Sequence, residues 1–240
     1  MIPARAIPLF AFYTGLVTVA TLIFTIFVPA TRGYFNVGES AVYAVALLAG
    51  ARAGAFAGGV GSMIADIVLG YYIFAPATLI VKGAEGGLLG LLSSRQPSLS
   101  RRSWRALSAA IAVGIAAAVY AVGSAFYVGE SELTVGLPLV GQVTLLLSIS
   151  AYVWAAAGIA TGALILVLAA LRGPEVGWTV ICTIISGAVM VTGYFLYEQL
   201  ILGYAAAAEV PFNVGQVLIG IAIALPAYRS LRAIKRKGQE

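Results

Sequence analysis

The chain has 240 residues, 61% of them hydrophobic and only 10% charged, with a net charge of +5 and a mean hydropathy of +1.01. Soluble domains carry about 25% charged residues, so this composition excludes a water-soluble globule and indicates an integral membrane protein. Histidine is absent and Cys182 is the single cysteine, which excludes an intrachain disulfide, a thiolate metal cluster, Ser-His catalysis and His-ligated metals.

In chain order, apolar runs cover residues 7–29, 40–51, 53–70, 75–94, 106–127, 142–171, 176–204 and 212–228. Most approach the roughly 20 residues that a helical span requires. They are too continuous for barrel strands, which alternate apolar and polar residues over about 10 positions. The expected fold is an all-α integral membrane helical bundle of eight spans, read as a single membrane domain over 1–240. The first run lacks a convincing cleavage site and is read as retained. Residues 39–70 as one helix would run about 48 Å at 1.5 Å per residue, against roughly 30 Å of hydrocarbon. A break at Gly50–Gly54 resolves the mismatch.

Eight spans with both termini in the cytoplasm put Arg5, Arg52, Arg95, Arg101, Arg102, Arg105, Arg172, Arg229, Arg232, Lys235, Arg236 and Lys237 on one side, leaving Arg32 outside. Seven spans would split the basic residues between the two faces, against the positive-inside bias. Attraction to anionic lipid at the span borders explains these residues better than nucleic acid does. A multi-pass protein of the cell membrane is expected.

Inside the spans remain Asp66, Lys82, Glu85 and Glu198. A charge at mid-bilayer costs roughly 2.5 to 3.5 kcal/mol on the translocon scale, so such residues usually face a cavity or a bundle interior. Thr78, Lys82 and Glu85 share one helix face, Tyr194 and Glu198 are spaced i, i+4, and Asn213 and Gln216 are spaced i, i+3. Helix length places all of them in the outer half of the bilayer. Two readings stand side by side. In one the groups line a ligand pocket; in the other Lys82 simply neutralises Glu85 on its own helix or Asp66 across an interface. Pairing alone would leave an excess of acid, because three carboxylates face one Lys. Mutating Lys82 to Ala is expected to weaken ligand binding more than bundle stability.

Small residues recur at Gly54, Gly58, Ser62 and Asp66, and again at Gly83, Gly87 and Gly86, Gly90. This spacing lets helix backbones approach closely in lipid, and packing is the main role expected of it. Tyr34, Phe35, Tyr71, Tyr72, Phe74, Tyr194, Tyr197, Tyr204 and Phe212 crowd the outer level, either as an interfacial belt or as walls for a flat ligand.

Five motifs follow in order: G-Y-x-N-x-G from Gly33, G-S-x-x-A-D from Gly61, A-P-x-T-x-x-x-K-G-x-E-G from Ala75, G-Y-F-x-x-E from Gly193 and P-x-N-x-x-Q from Pro211. Together, the segments 33–87 and 185–221 resemble the substrate-binding S components of energy-coupling factor (ECF) vitamin transporters, particularly the riboflavin-type group. The resemblance implies a subunit that captures a vitamin or precursor from outside and works with a transmembrane T component and two ATPases. It implies no cofactor, metal or catalytic residue in this chain, and without a Walker A motif ATP use falls to the partners.

Carried onto this sequence, the binding residues would be Tyr34, Asn36, Glu39, Asp66, Tyr72, Thr78, Lys82, Glu85, Tyr194, Glu198, Asn213 and Gln216. Ala4, Ala11 and Gly15 on the first helix would contact the T component. Family members typically have six helices. Residues 1–95 would therefore hold the first four core helices, 104–172 a two-helix insertion, and 175–240 the last two core helices with a basic tail. The competing function is a stand-alone, proton-coupled secondary transporter, since intramembrane acids often relay protons. An enzyme is disfavoured, because no His is present to activate Ser62.

Overall fold

Gly50 divides the second apolar stretch: its φ of +81° is accessible to glycine without steric cost, and it ends one helix and begins the next. The computed structural model describes residues 7–28, 33–95, 100–126, 128–137, 141–171 and 174–237. Eight helices are seen there: α1 (Ile7–Ile23), α2 (Glu39–Ala49), α3 (Ala51–Leu69), α4 (Ala75–Ser93), α5 (Arg101–Phe126), α6 (Ala151–Leu171), α7 (Pro174–Leu202) and α8 (Val210–Lys237). A 3-10 segment, Gly203–Glu209, joins α7 to α8. Five of the helical segments are long and apolar enough to cross a membrane, and three further apolar helices are shorter. The expected all-α membrane bundle is the fold observed.

Two antiparallel hairpins depart from the expected pattern. Strand β1 (Thr25–Val28) pairs with β2 (Gly33–Asn36), Thr25 opposite Asn36, so α1 ends at Ile23 and not near residue 29. Strand β3 (Gly129–Leu137) pairs with β4 (Gly141–Ile149). The run 142–171 is therefore not one helix; only Ala151–Leu171 is helical. The reason is legible at period two. Gln142, Thr144 and Ser148 alternate with Val143, Leu145, Leu147 and Ile149, while Glu130, Glu132 and Thr134 alternate with Leu133, Val135 and Leu137. Alternation with β-branched residues suits a strand, but overall hydropathy masks it.

The chain divides into two compact units: Met1–Arg95 with Val180–Glu240, and Gln96–Thr179. In the first, α3 packs against α4 and α1, and α2 packs against α8, α3 and α4. Glycine makes these approaches feasible. A Cβ on Gly54 would sit 2.5 Å from the Gly86 carbonyl oxygen, one on Gly58 2.8 Å from that of Lys82, and one on Gly59 2.5 Å from that of Leu79. The stripe identified in the sequence is thus the α3–α4 contact, where backbone lies on backbone. A small apolar core of Val81, Met190 and Val217 ties α4 to α7 and α8. In the second unit α5 packs against α6, and the Trp104 indole donates to the Ala169 carbonyl at 3.0 Å.

Candidate functional site

The ends of these elements bring polar side chains to a single cavity. Thr21 comes from α1, Tyr34 and Asn36 from β2, Ser62 and Asp66 from α3, and Thr78 and Lys82 from α4. Tyr194 and Glu198 come from α7 and Asn213 and Gln216 from α8, with Gly38, Phe74 and Glu209 completing the lining. Asp66 lies near the C-terminus of α3, Thr78 near the N-terminus of α4, Glu198 near the C-terminus of α7 and Asn213 near the N-terminus of α8. Antiparallel packing therefore collects them at one end of the unit. These residues are nearly all buried, as polar groups in a bundle interior must be if lipid is not to meet them.

Lys82 is the electrostatic centre. Its ammonium is ion-paired with Glu39 of α2 and lies 3.8 Å from Glu85 Oε2 on its own helix. The Tyr43 hydroxyl donates to Glu85 Oε1 at 2.8 Å. Of the two pairings the sequence left open, the one with Glu85 on the same helix is present, while the cross-helix partner is Glu39 and not Asp66. The break at Gly50 explains this, because it folds α2 back so that Glu39 reaches α4. Asp66 is instead met by Tyr34, whose hydroxyl donates to Oδ1 at 2.5 Å. Burial above all, reinforced by the Asp66 charge, holds the Tyr34 phenol well above its ordinary pKa, so it remains a donor.

Opposite, the Tyr194 hydroxyl donates to Thr78 Oγ1 at 2.8 Å, and its ring lies 5.6 Å from the Lys82 ammonium. The Gln216 amide donates to Asn213 Oδ1 at 3.0 Å. The Asn36 side chain turns inward to accept from the Gly38 amide at 2.8 Å, which fixes the entry into α2. An aromatic row runs beside the cavity: Tyr34 and Tyr71 centroids are 4.5 Å apart, Tyr71 and Phe74 6.4 Å, and Phe74 and Tyr197 6.4 Å.

Of the residues expected in the site, Tyr34, Asn36, Asp66, Thr78, Lys82, Tyr194, Glu198, Asn213 and Gln216 line the cavity. Glu39 and Glu85 do not; they are fully buried behind Lys82 and compensate it. Tyr72 is 68% exposed and away from the cavity, in keeping with a belt residue. Thr21, Gly38, Ser62, Phe74 and Glu209 were not assigned to the site. Ser62 carried a signal, one turn before Asp66 on the same face, but had been read as packing; Thr21 carried none. Ala4 lies outside the described residues, whereas Ala11 and Gly15 lie on an exposed part of α1.

A model of the family described as ECF-type riboflavin transporter, S component, matches residues 1–172. The chain belongs to this family. An S component is a membrane-embedded substrate-binding subunit, and the polar cavity is the candidate for its binding site. The match ends before Tyr194, Glu198, Asn213 and Gln216, so that wall rests on the geometry alone. The chain is also 44% identical over 85 residues to a Pyrococcus woesei protein described as "Uncharacterized protein in gap 3'region". That alignment takes in 35% of this chain and 57% of the relative, so the chain spans a little over half the relative's length.

Proposed function

We propose that this S component captures a vitamin or vitamin precursor from outside the cell and delivers it through an ATP-driven ECF importer. The observation that carries the reading is the convergence of polar and aromatic side chains from β2, α3, α4, α7 and α8 on one cavity. A concave site with aromatic walls and a few placed polar groups suits a small heterocyclic ligand. Delivery would require a transmembrane T component and two ATPases, which would use the ATP; this chain would need no cofactor of its own.

The protein would sit in the cell membrane with both termini cytoplasmic and the cavity facing out, as the distribution of Lys and Arg favours. Residues 104–172 would be an accessory helix pair added to a six-helix core. The exposed α1 face with Ala11 and Gly15 would meet the T component, and the open space around the Gly15 Cα supports that choice. Purified protein in liposomes tests the reading. Tight ligand binding without uptake is expected until the T component and ATPases are co-reconstituted. Uptake driven by a pH gradient with this chain alone would overturn it in favour of a proton-coupled secondary transporter.

A further inference from the structure

Among the described residues, five buried side-chain atoms on the cavity wall have no hydrogen-bond partner, and they are of both kinds. Asp66 Oδ2, Glu198 Oε2 and Gln216 Oε1 accept; the Lys82 ammonium and the Ser62 hydroxyl donate. None of these five residues is more than 5% exposed. A donor or acceptor buried without a partner is costly, and a ligand made of acceptors alone, or of donors alone, would strand the other kind.

The donors belong to α3 and α4, whereas α7 and α8 bring acceptors. Gly54 lies against the Gly86 carbonyl and Gly58 against that of Lys82, and the next antiparallel step brings Ser62 level with Thr78, one turn from Lys82. Helical side chains lean toward the N-terminus of their helix, which for α4 is the cavity end, so the Lys82 chain climbs toward the level of Ser62. Glu39 and Glu85 engage its ammonium. An ammonium has three N–H groups, however, and one remains for the cavity. On the other helices Gln216 commits its amide N–H to Asn213, which leaves its carbonyl to accept, and Glu198 adds Oε2. Tyr194 and Phe74 supply ring faces on the same lining.

Resting on the capture reading, we propose that Ser62 and Lys82 form a donor pair that takes a carbonyl oxygen or ring nitrogen of the ligand, while the Gln216 carbonyl and Glu198 take its N–H groups. The ligand class is a flat heterocycle with acceptors and N–H donors at separate points of its rim, selected by hydrogen-bond pattern and not by net charge. Ser62 is thereby a specificity residue, in addition to its place in the small-residue stripe of α3.

Matched probes titrated against the full chain in lipid nanodiscs test the assignment. Lumichrome is a flat tricycle with carbonyls and ring N–H groups, and 1,3-dimethyllumichrome keeps the carbonyls but loses the N–H groups; nicotinamide and N,N-dimethylnicotinamide form the same kind of pair on a single ring. In at least one pair the parent compound is expected to bind ~10-fold or more tightly than its methylated form, as the loss of N–H bonds to buried acceptors implies. Ser62→Ala should weaken both members of that pair by about 3- to 10-fold, the loss of one hydrogen bond. The melting temperature of the ligand-free variant should be unchanged or raised, because the hydroxyl removed has no partner there. Gln216→Met should instead erase the advantage of the parent compound, which a purely steric effect of the methyl groups would leave in place. Equal binding of parent and methylated probes, an advantage that survives in Gln216→Met, or affinity unchanged in Ser62→Ala would overturn the assignment while leaving the capture reading intact. Failure of all four probes to bind would overturn it as well; a different small molecule retained through purification, found by mass spectrometry, would then keep the capture reading, and finding none would remove both.

Discussion

The two compact units solve the problem of living in lipid in different ways. Met1–Arg95 with Val180–Glu240 buries Glu39, Asp66, Lys82, Glu85 and Glu198. In Gln96–Thr179, by contrast, α6 carries no charged residue and α5 carries charge only at its first turns, in Arg101, Arg102 and Arg105. Helix packing by small residues occurs in both: Gly158 lies against the Ala116 carbonyl much as Gly54 lies against that of Gly86. Close packing is therefore the general requirement of the bundle, and buried charge is the special feature of the unit that holds the cavity. Charge buried within one unit, set against the helices α5 and α6 of the other, which carry none beyond the first turns of α5, marks the place where binding is to be sought.

The largest expected effect breaks the charge network. Lys82→Ala removes the partner of two fully buried carboxylates, and losing one member of a buried pair typically costs about 3–5 kcal/mol. The structure thus revises the sequence-based expectation of a mainly ligand-specific effect: thermal unfolding in detergent should show a severe loss even without ligand. Combining Lys82→Met with Glu39→Gln and Glu85→Gln should recover most of it. If Lys82→Ala melts like the parent protein, the network contributes nothing to the fold.

Next in size is Gly54→Ala, whose added methyl meets the Gly86 carbonyl oxygen at 2.5 Å; overpacking of this kind costs about 1–3 kcal/mol. Gly114→Ala in α5 meets nothing within 4 Å and should instead stabilise by about 0.5–1 kcal/mol, as expected for a helix-interior glycine. Equal melting shifts in the two variants would erase the distinction between contact and open glycines. Trp104→Phe removes the indole bond to the Ala169 carbonyl and should cost about 0.5–1.5 kcal/mol with ligand affinity untouched. Affinity lost in this variant would mean that binding is not confined to the first unit. Smallest of all, Tyr72→Phe at an exposed position should change neither affinity nor melting, as two titrations and a melting curve would show.

Much of the site was legible because polar residues in lipid are conspicuous. Asp66, Thr78, Lys82, Tyr194, Glu198, Asn213 and Gln216 declare themselves by chemistry and helical spacing. Glu39 and Glu85 were visible too, but not their role behind Lys82, because neither composition nor spacing reveals which carboxylate lies across an interface. Thr21 was hidden for a related reason: its hydroxyl bonds back to the Val17 carbonyl, as Thr commonly does within a helix, and only packing sets it beside the cavity. The β3–β4 hairpin was missed because hydropathy averaged over a long window does not register a period of two.

By itself the sequence determined that the chain is a helical membrane protein, that its second apolar stretch breaks at Gly50, and which residues are too polar to face lipid. Those properties depend on local transfer costs and backbone preferences, which composition and spacing carry. Only the tertiary structure decided the partners: Lys82 with Glu39, Tyr34 with Asp66, Tyr43 with Glu85 and Tyr194 with Thr78. Each of these pairs joins different elements, and which element faces which is set by the close approach of glycine-bearing helices, an outcome of global packing that no local pattern encodes.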